Sequence, residues 1–138
     1  MKFFNVGENS NFVVAMNAAK QTKFGSMYYF EKIQLTIASV ADYNVWQNKE
    51  GEMHLCIRYE PSLKDDLSRI IDTIRKDHGN LKFKDLDVAA MYFKVKPAVA
   101  NTIPLNQKLN IAIQIYGVFH QRSNDTSYLQ MEVVEVKV

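Results

Sequence analysis

Residues 108–138, KLNIAIQIYGVFHQRSNDTSYLQMEVVEVKV, decide how the rest of the chain is read. Leu109, Ile111, Ile113 and Ile115 alternate with Asn110, Ala112, Gln114 and Tyr116, the period of a strand with one buried face. SNDT at 123–126 supplies turn residues. On the return strand Leu129, Met131 and Val133 are in phase, then Val134, Val136 and Val138 take the opposite phase. One extra residue near Val133 accounts for the switch, because a bulge exchanges inward and outward side chains. The same alternation sends Phe119 inward with Ile113, Ile115, Leu129 and Met131. It leaves Tyr116, His120, Arg122 and Tyr128 on the outer face or at the turn.

Working back from this closing hairpin, YYFEKIQLTIA at 28–38 places Ile33, Leu35 and Ile37 opposite Lys32, Gln34 and Thr36. YNVWQ at 43–47 and MHLCIRYE at 53–60 flank NKEG, whose Gly51 suits a hairpin turn. Met53, Leu55, Ile57 and Tyr59 share one face of the second strand, with His54, Cys56 and Arg58 on the other. PSLKDDLSRIIDTIRKDHGN at 61–80 then changes period, with Leu63, Leu67, Ile70, Ile71 and Ile74 at helical spacing. Ser62 with Asp65 forms a variant capping box, Asp65 and Asp66 suit the positive end, and Lys76, His78 and Gly79 suit the C-terminus. VAAMYFKVKP at 88–97 is a strand stopped by Pro97, with Tyr92, Lys94 and Lys96 facing away from Met91, Phe93 and Val95.

Three strands, a helix, an accessory strand and a closing hairpin predict a mainly β fold: a five-stranded OB-like antiparallel barrel with one helix after the third strand. An α+β sandwich is the structural alternative. With 138 residues, 47% hydrophobic and 23% charged, the chain is expected to be one domain, 1–138, and to fold alone or as a small homo-oligomer. No continuous apolar run suggests a signal peptide or a membrane span, so a soluble protein without a membrane partner is expected, in the cytoplasm. The single Cys56 excludes a disulfide framework and fits a reducing compartment.

The chemistry of enzymes is hard to find. There is no GxGxxG turn and no phosphate loop, and only five glycines. Three histidines are present; His78 fits a helix end, and His54 beside Cys56 is the one pairing that suggests a reactive thiol. No cysteine and histidine spacing matches a metal site, and neither a metal nor a cofactor is expected. The chain is therefore read as non-enzymatic.

Basic and aromatic side chains remain on the faces opposite the aliphatic alternation, where acidic residues are sparse. Arg58, Lys94 and Lys96 are the candidate phosphate contacts, and Tyr92 and Tyr116 the candidate stacking platforms. Lys32, Trp46 and Tyr43 join them, and Lys23, Phe24, Lys49 and Arg122 extend the surface from loops. Single-strand binders combine these residue types because bases stack on rings while phosphates attract Lys and Arg. The net charge of +2 does not by itself indicate a polyanion, and Tyr and Arg serve protein interfaces equally. A protein-interaction module or virion component is the alternative.

The order of elements resembles the single-stranded DNA-binding proteins of short-tailed bacteriophages, an OB-fold family with a helix after the third strand. The similar parts are FFNVGENSNFVVAMNAAKQTKFG at 3–25, YYFEKIQLTIA, and KLNIAIQIYGVFHQRSNDTSYLQMEVVEV at 108–136. The resemblance implies sequence-tolerant binding that protects single-stranded DNA in replication, recombination and repair, with replication proteins as partners and a host cytoplasm as the setting. Such proteins often end in an acidic, flexible tail that recruits enzymes, whereas this sequence ends VVEVKV in a predicted strand, so recruitment by that route is not expected.

Overall fold

The computed structural model describes residues 2–3, 16–17, 19–86 and 89–138. Most of the 3–25 stretch that carries part of the resemblance lies outside them. In chain order the elements are β1 (Lys2–Phe3), β2 (Lys20–Gln21), β3 (Gly25–Val40), β4 (Tyr43–Gln47), β5 (Met53–Ile57), α1 (Pro61–Asp77), β6 (Met91–Val95), α2 (Pro97–Ala100), β7 (Leu109–Gln121) and β8 (Thr126–Lys137). The strands form one sheet in the order β1-β3-β7-β8-β6-β5-β4, with β2 also paired to β3.

The chain is mainly β, but the expected five-stranded barrel is not formed. The sheet is open and mixed: β1 runs parallel to β3 and β6 parallel to β8, while the other pairs are antiparallel. A barrel needs the outermost strands to meet, and here β4 ends one side of the sheet while β1 ends the other. The physical cause is the placement of the long hairpin. β7 takes β3 on one side and β8 on the other, so the closing hairpin fills the centre of the sheet instead of sealing its rim.

One face of the sheet is dry. Ile33, Leu35 and Ile37 of β3, Leu55 and Ile57 of β5, Met91, Phe93 and Val95 of β6, and Ile111, Ile113 and Ile115 of β7 form a continuous core with Leu63, Leu67, Ile70 and Ile74 of α1. The helical stripe read from the sequence is thus the stripe that packs, each such side chain contributing roughly 1.5–3 kcal/mol of burial. The helix starts two residues earlier than the Ser62 capping box required. Glu60 is the N-cap and makes no side-chain cap bond, and Pro61 takes the first helical position, where its missing N–H costs nothing. Asp65 and Asp66 consequently lie beyond the first turn, which holds no acidic residue. The other end matches: Arg75 and Lys76 occupy the last turn and His78 is the C-cap.

The long strands owe their shape to interruptions of the ladder. Between β7 and β8, Ala112 pairs with Glu135 and Ile113 with Val133, so Val134 is the extra residue, beside the position expected from the sequence. A second bulge lies at Tyr116, between the pairs Ile115–Met131 and Gly117–Gln130. It reverses the alternation beyond it, so Val118 enters the core in place of Phe119, which the sequence placed inward. Gly117 is required here by space, since a Cβ would press into the Tyr28 carbonyl oxygen and the end of the Met27 side chain. At the end of β5, Tyr59 also departs from its expected face; it leaves the strand with φ 58° and points into solvent.

Candidate functional site

The other face of the sheet carries the polar and aromatic side chains. Cross-strand register sets six residues in one lateral row: Gln34, Gln114, Glu132, Lys94, His54 and Trp46. Five strand-to-strand steps at about 4.8 Å make this row roughly 24 Å wide. Period-two alternation puts the row here, because each member is the neighbour of a residue that enters the core.

At the β4 end of the row, Asn44, Trp46, Arg58 and Tyr92 line a shallow hollow of about 440 Å³. Trp46 is 48% exposed and Tyr92 56%, and their ring centroids lie 6.1 Å apart in an edge-on arrangement. Trp46 also lies 5.2 Å from the His54 ring, centroid to centroid. Asn44 Oδ1 and His54 Nε2 are buried with no hydrogen-bond partner in the structure. A buried polar atom without a partner carries a desolvation cost. Arg58 lies 3.8 Å from Asp42, an exposed pair that leaves the guanidinium largely free for a further anion.

Towards β3, Tyr29, Phe30, Lys32, Gln114, Tyr116 and Glu132 line a second hollow of about 320 Å³. Burial, and then the neighbouring Glu132 carboxylate, push the Tyr116 phenol above its ordinary value. Glu132 sits between the two hollows and pairs with Lys96 at 3.7 Å. Glu50 and Glu52 of the β4–β5 turn stand by Lys94 and Lys96 around a third depression. The expectation that acidic residues avoid this face is therefore wrong at its centre.

Of the residues singled out from the sequence, Trp46, Arg58, Tyr92, Lys94, Tyr116 and Lys32 meet on this face, and Lys96 joins them at the start of α2. Tyr43 does not. It packs against the core and its hydroxyl lies 2.6 Å from the Pro104 carbonyl and 2.8 Å from that of Gln107, pinning the 101–108 segment. Tyr43 and Trp46 are three apart on one strand and so cannot share a face. Arg122 is occupied as well: one terminal nitrogen donates to the Thr22 and Lys23 carbonyls at 2.6 and 2.7 Å. It ties the loop at 22–24 to the β7–β8 turn. Lys23 and Phe24 are held at that end too, the ammonium 5.6 Å from the ring centroid. Lys49 lies in the exposed β4–β5 turn. The sequence reading missed Asn44, Tyr29 and Glu132; counting by twos from Trp46, and from the bulge at Val134, would have found the first and last.

Three groups have residue types found in catalytic sites. The Cys56 thiol is fully buried, and His54 Nε2 does not reach it. Asp66 is raised by burial, with Arg69 opposing and Asp65 adding to the shift, which describes a helix-surface pair. His120 contacts Ser127 Oγ at 2.9 Å through Nδ1 and Asp125 at 3.0 Å through Nε2. Ser127, however, is 1% exposed and Asp125 faces solvent, so the order is inverted for nucleophilic attack. Lys82 bonds Asp125 at 3.1 Å, and with His120 this holds the carboxyl below its ordinary value. The network fastens the turn to the segment at 82–83, whose Lys82 carbonyl accepts the Ser127 N–H at 2.6 Å.

Among the described residues no group of three or more His, Cys, Asp or Glu could hold a metal ion, and no helix is long and apolar enough to cross a membrane. No protein-family model, curated protein or solved structure matches the chain.

Proposed function

We propose that the outer sheet face binds single-stranded DNA without strong sequence preference. The observation that carries this reading is the hollow of Trp46, Tyr92, Arg58 and Asn44, followed along the row by Lys94. A base slid against Trp46 and Tyr92 gains stacking, worth about 1–3 kcal/mol per base, while its phosphates meet Arg58, Lys94 and Lys96. Tyr116 and Lys32 offer a second station across the sheet. In this reading the protein is a non-enzymatic cytoplasmic binder of the kind that protects single strands in replication, recombination and repair. The resemblance to bacteriophage single-strand binders supports it through the order of elements; the open sheet does not add to that support.

Trp46 is the only tryptophan, so its fluorescence reports on the site directly. Titration with oligo-dT, duplex DNA and RNA at low and moderate salt is expected to quench Trp46 with single strands, and to lose affinity steeply as salt rises. Absence of binding to all three at low salt refutes the proposal. The carboxylates of Glu50, Glu52 and Glu132 beside Lys94 and Lys96 favour a second reading, a protein-interaction surface of mixed charge. That reading predicts association with a protein and no affinity for oligonucleotides.

A further inference from the structure

The edge strand β4 is unusual in what it lacks. Exposed sheet edges are normally blunted by Pro, Lys, a bulge or extreme shortness. On the opposite side β1 and β2 span two residues each. β4, YNVWQ, pairs with β5 over five consecutive positions without a register shift and contains neither proline nor a charged residue. Among the described residues no strand lies on its outer side.

The hydrogen-bond phase of this edge follows from its ends. Arg58 N–H donates to the Asp42 carbonyl and Asn48 N–H to the Glu52 carbonyl, each at 3.0 Å. Even-numbered residues of β4 therefore bond inward to β5, and Tyr43, Val45 and Gln47 direct their N–H and C=O groups outward. Exposed aromatic side chains meet beside the same edge: Trp46 lies on it and the Tyr92 ring is 6.1 Å away, centroid to centroid.

We propose that β4 pairs antiparallel with β4 of a second copy of this chain, about a two-fold axis through Val45. The outward groups are self-complementary about that point: Val45 bonds Val45 of the second copy, and Tyr43 and Gln47 bond each other in both directions. No like charges meet, since Asp42 comes opposite Asn48 of the second copy. On the outer face Asn44 stands beside Trp46 of the second copy, so the two hollows become neighbours. A second copy suits this edge in its side chains as well as its backbone, since the pairing sets no like charges opposite one another and brings Trp46 of each copy beside Asn44 of the other. The inference does not depend on nucleic-acid binding.

Sedimentation equilibrium of the full chain over roughly 1–100 µM, the range in which modest interfaces dissociate, tests it. The expected mass rises with concentration from 15.9 kDa towards twice that value. Val45→Pro and Gln47→Pro each remove an outward N–H without touching the bonds to β5, and each is expected to weaken the dimer at least tenfold. Circular dichroism and thermal melting establish that each variant is folded; should Val45→Pro fail to fold, Gln47→Pro decides. A wild-type chain that stays at the monomer mass throughout, or a dimer unaffected by a folded proline variant, overturns the proposal.

Discussion

Replacing Glu132 by Gln is expected to tighten single-strand binding. Glu132 is the one carboxylate in the lateral row, and its oxygen lies 3.7 Å from Lys96 Nζ. A phosphate accepting from the far side of that ammonium would lie about 6–7 Å from the carboxylate, allowing a further contact distance of about 3 Å. At that separation two unit charges repel by roughly 0.6 kcal/mol in bulk water, and by about 1 kcal/mol at a modestly lower effective dielectric constant. Lys96 is 75% exposed and Glu132 23%, so the aqueous end of that range applies to the contact. Removing the charge should therefore lower the dissociation constant about threefold at low salt. Glutamine keeps the shape and the backbone pairing of β8 intact. The assay is fluorescence anisotropy of labelled oligo-dT at two salt concentrations, with the gain shrinking at the higher one. Asp72→Asn, on the exposed face of α1 next to Arg75, changes net charge equally and should leave affinity nearly unchanged. Ultraviolet titration of the same variant gives a second reading. The Tyr116 phenol should ionise at lower pH than in the wild type, though still above its ordinary range, because burial is the larger cause and persists. Weaker or unaltered binding by Glu132→Gln, with the fold intact, would refute the placement of phosphates along this row.

Tyr92→Ala should cost about 1–3 kcal/mol of single-strand affinity with little loss of stability, since the ring is largely exposed; equilibrium titration and melting separate the two. Arg122→Ala should do the reverse, lowering stability by roughly 1 kcal/mol in urea unfolding through the lost loop bonds while affinity holds. Gly117→Val should destabilise the chain by several kcal/mol, of the order seen for overpacked cores or more, because its Cβ would collide with the β3 backbone; urea midpoints measure it. For Asp125 the folded carboxyl titrates below the unfolded value of 3.8, so the turn network stabilises the protein above that pH. The melting temperature of wild type should exceed that of Asp125→Asn there, and the gap should close as pH falls through the folded value.

The sequence displayed the strands because their alternation is local. Ile33, Leu35 and Ile37 need only their own strand to be read, and α1 needs only its stripe. The bulge at Val134 was visible because valines fall on both of its sides, so the phase change is written in apolar residues. The bulge at Tyr116 was not, since Gly117 has no side chain to mark its face and both Val118 and Phe119 are plausible core residues. The barrel failed for a different reason. Which strand becomes the edge depends on pairings such as Ile33 with Ile115 and Lys94 with Glu132, which leave no trace in short-range periodicity. The binding face was legible where alternation decided it, at Tyr92 and Lys94. It was misread at Tyr43 and Arg122, whose hydrogen bonds reach segments distant in the chain.

The central position of β7 sets the timetable of synthesis. β3 emerges early with its buried edge of Ile33, Leu35 and Ile37 complete, but its long partner begins only at Leu109. At about 5–20 residues per second, the nearly seventy residues between them take several seconds to translate. During that interval the β4–β5 hairpin and α1 can form from neighbouring residues, while a sixteen-residue strand waits with its principal ladder unmade. The apolar face of β3 thus stays without its β7 partner until the last thirty residues have been made, the interval over which a chaperone that shields β3 would cover it.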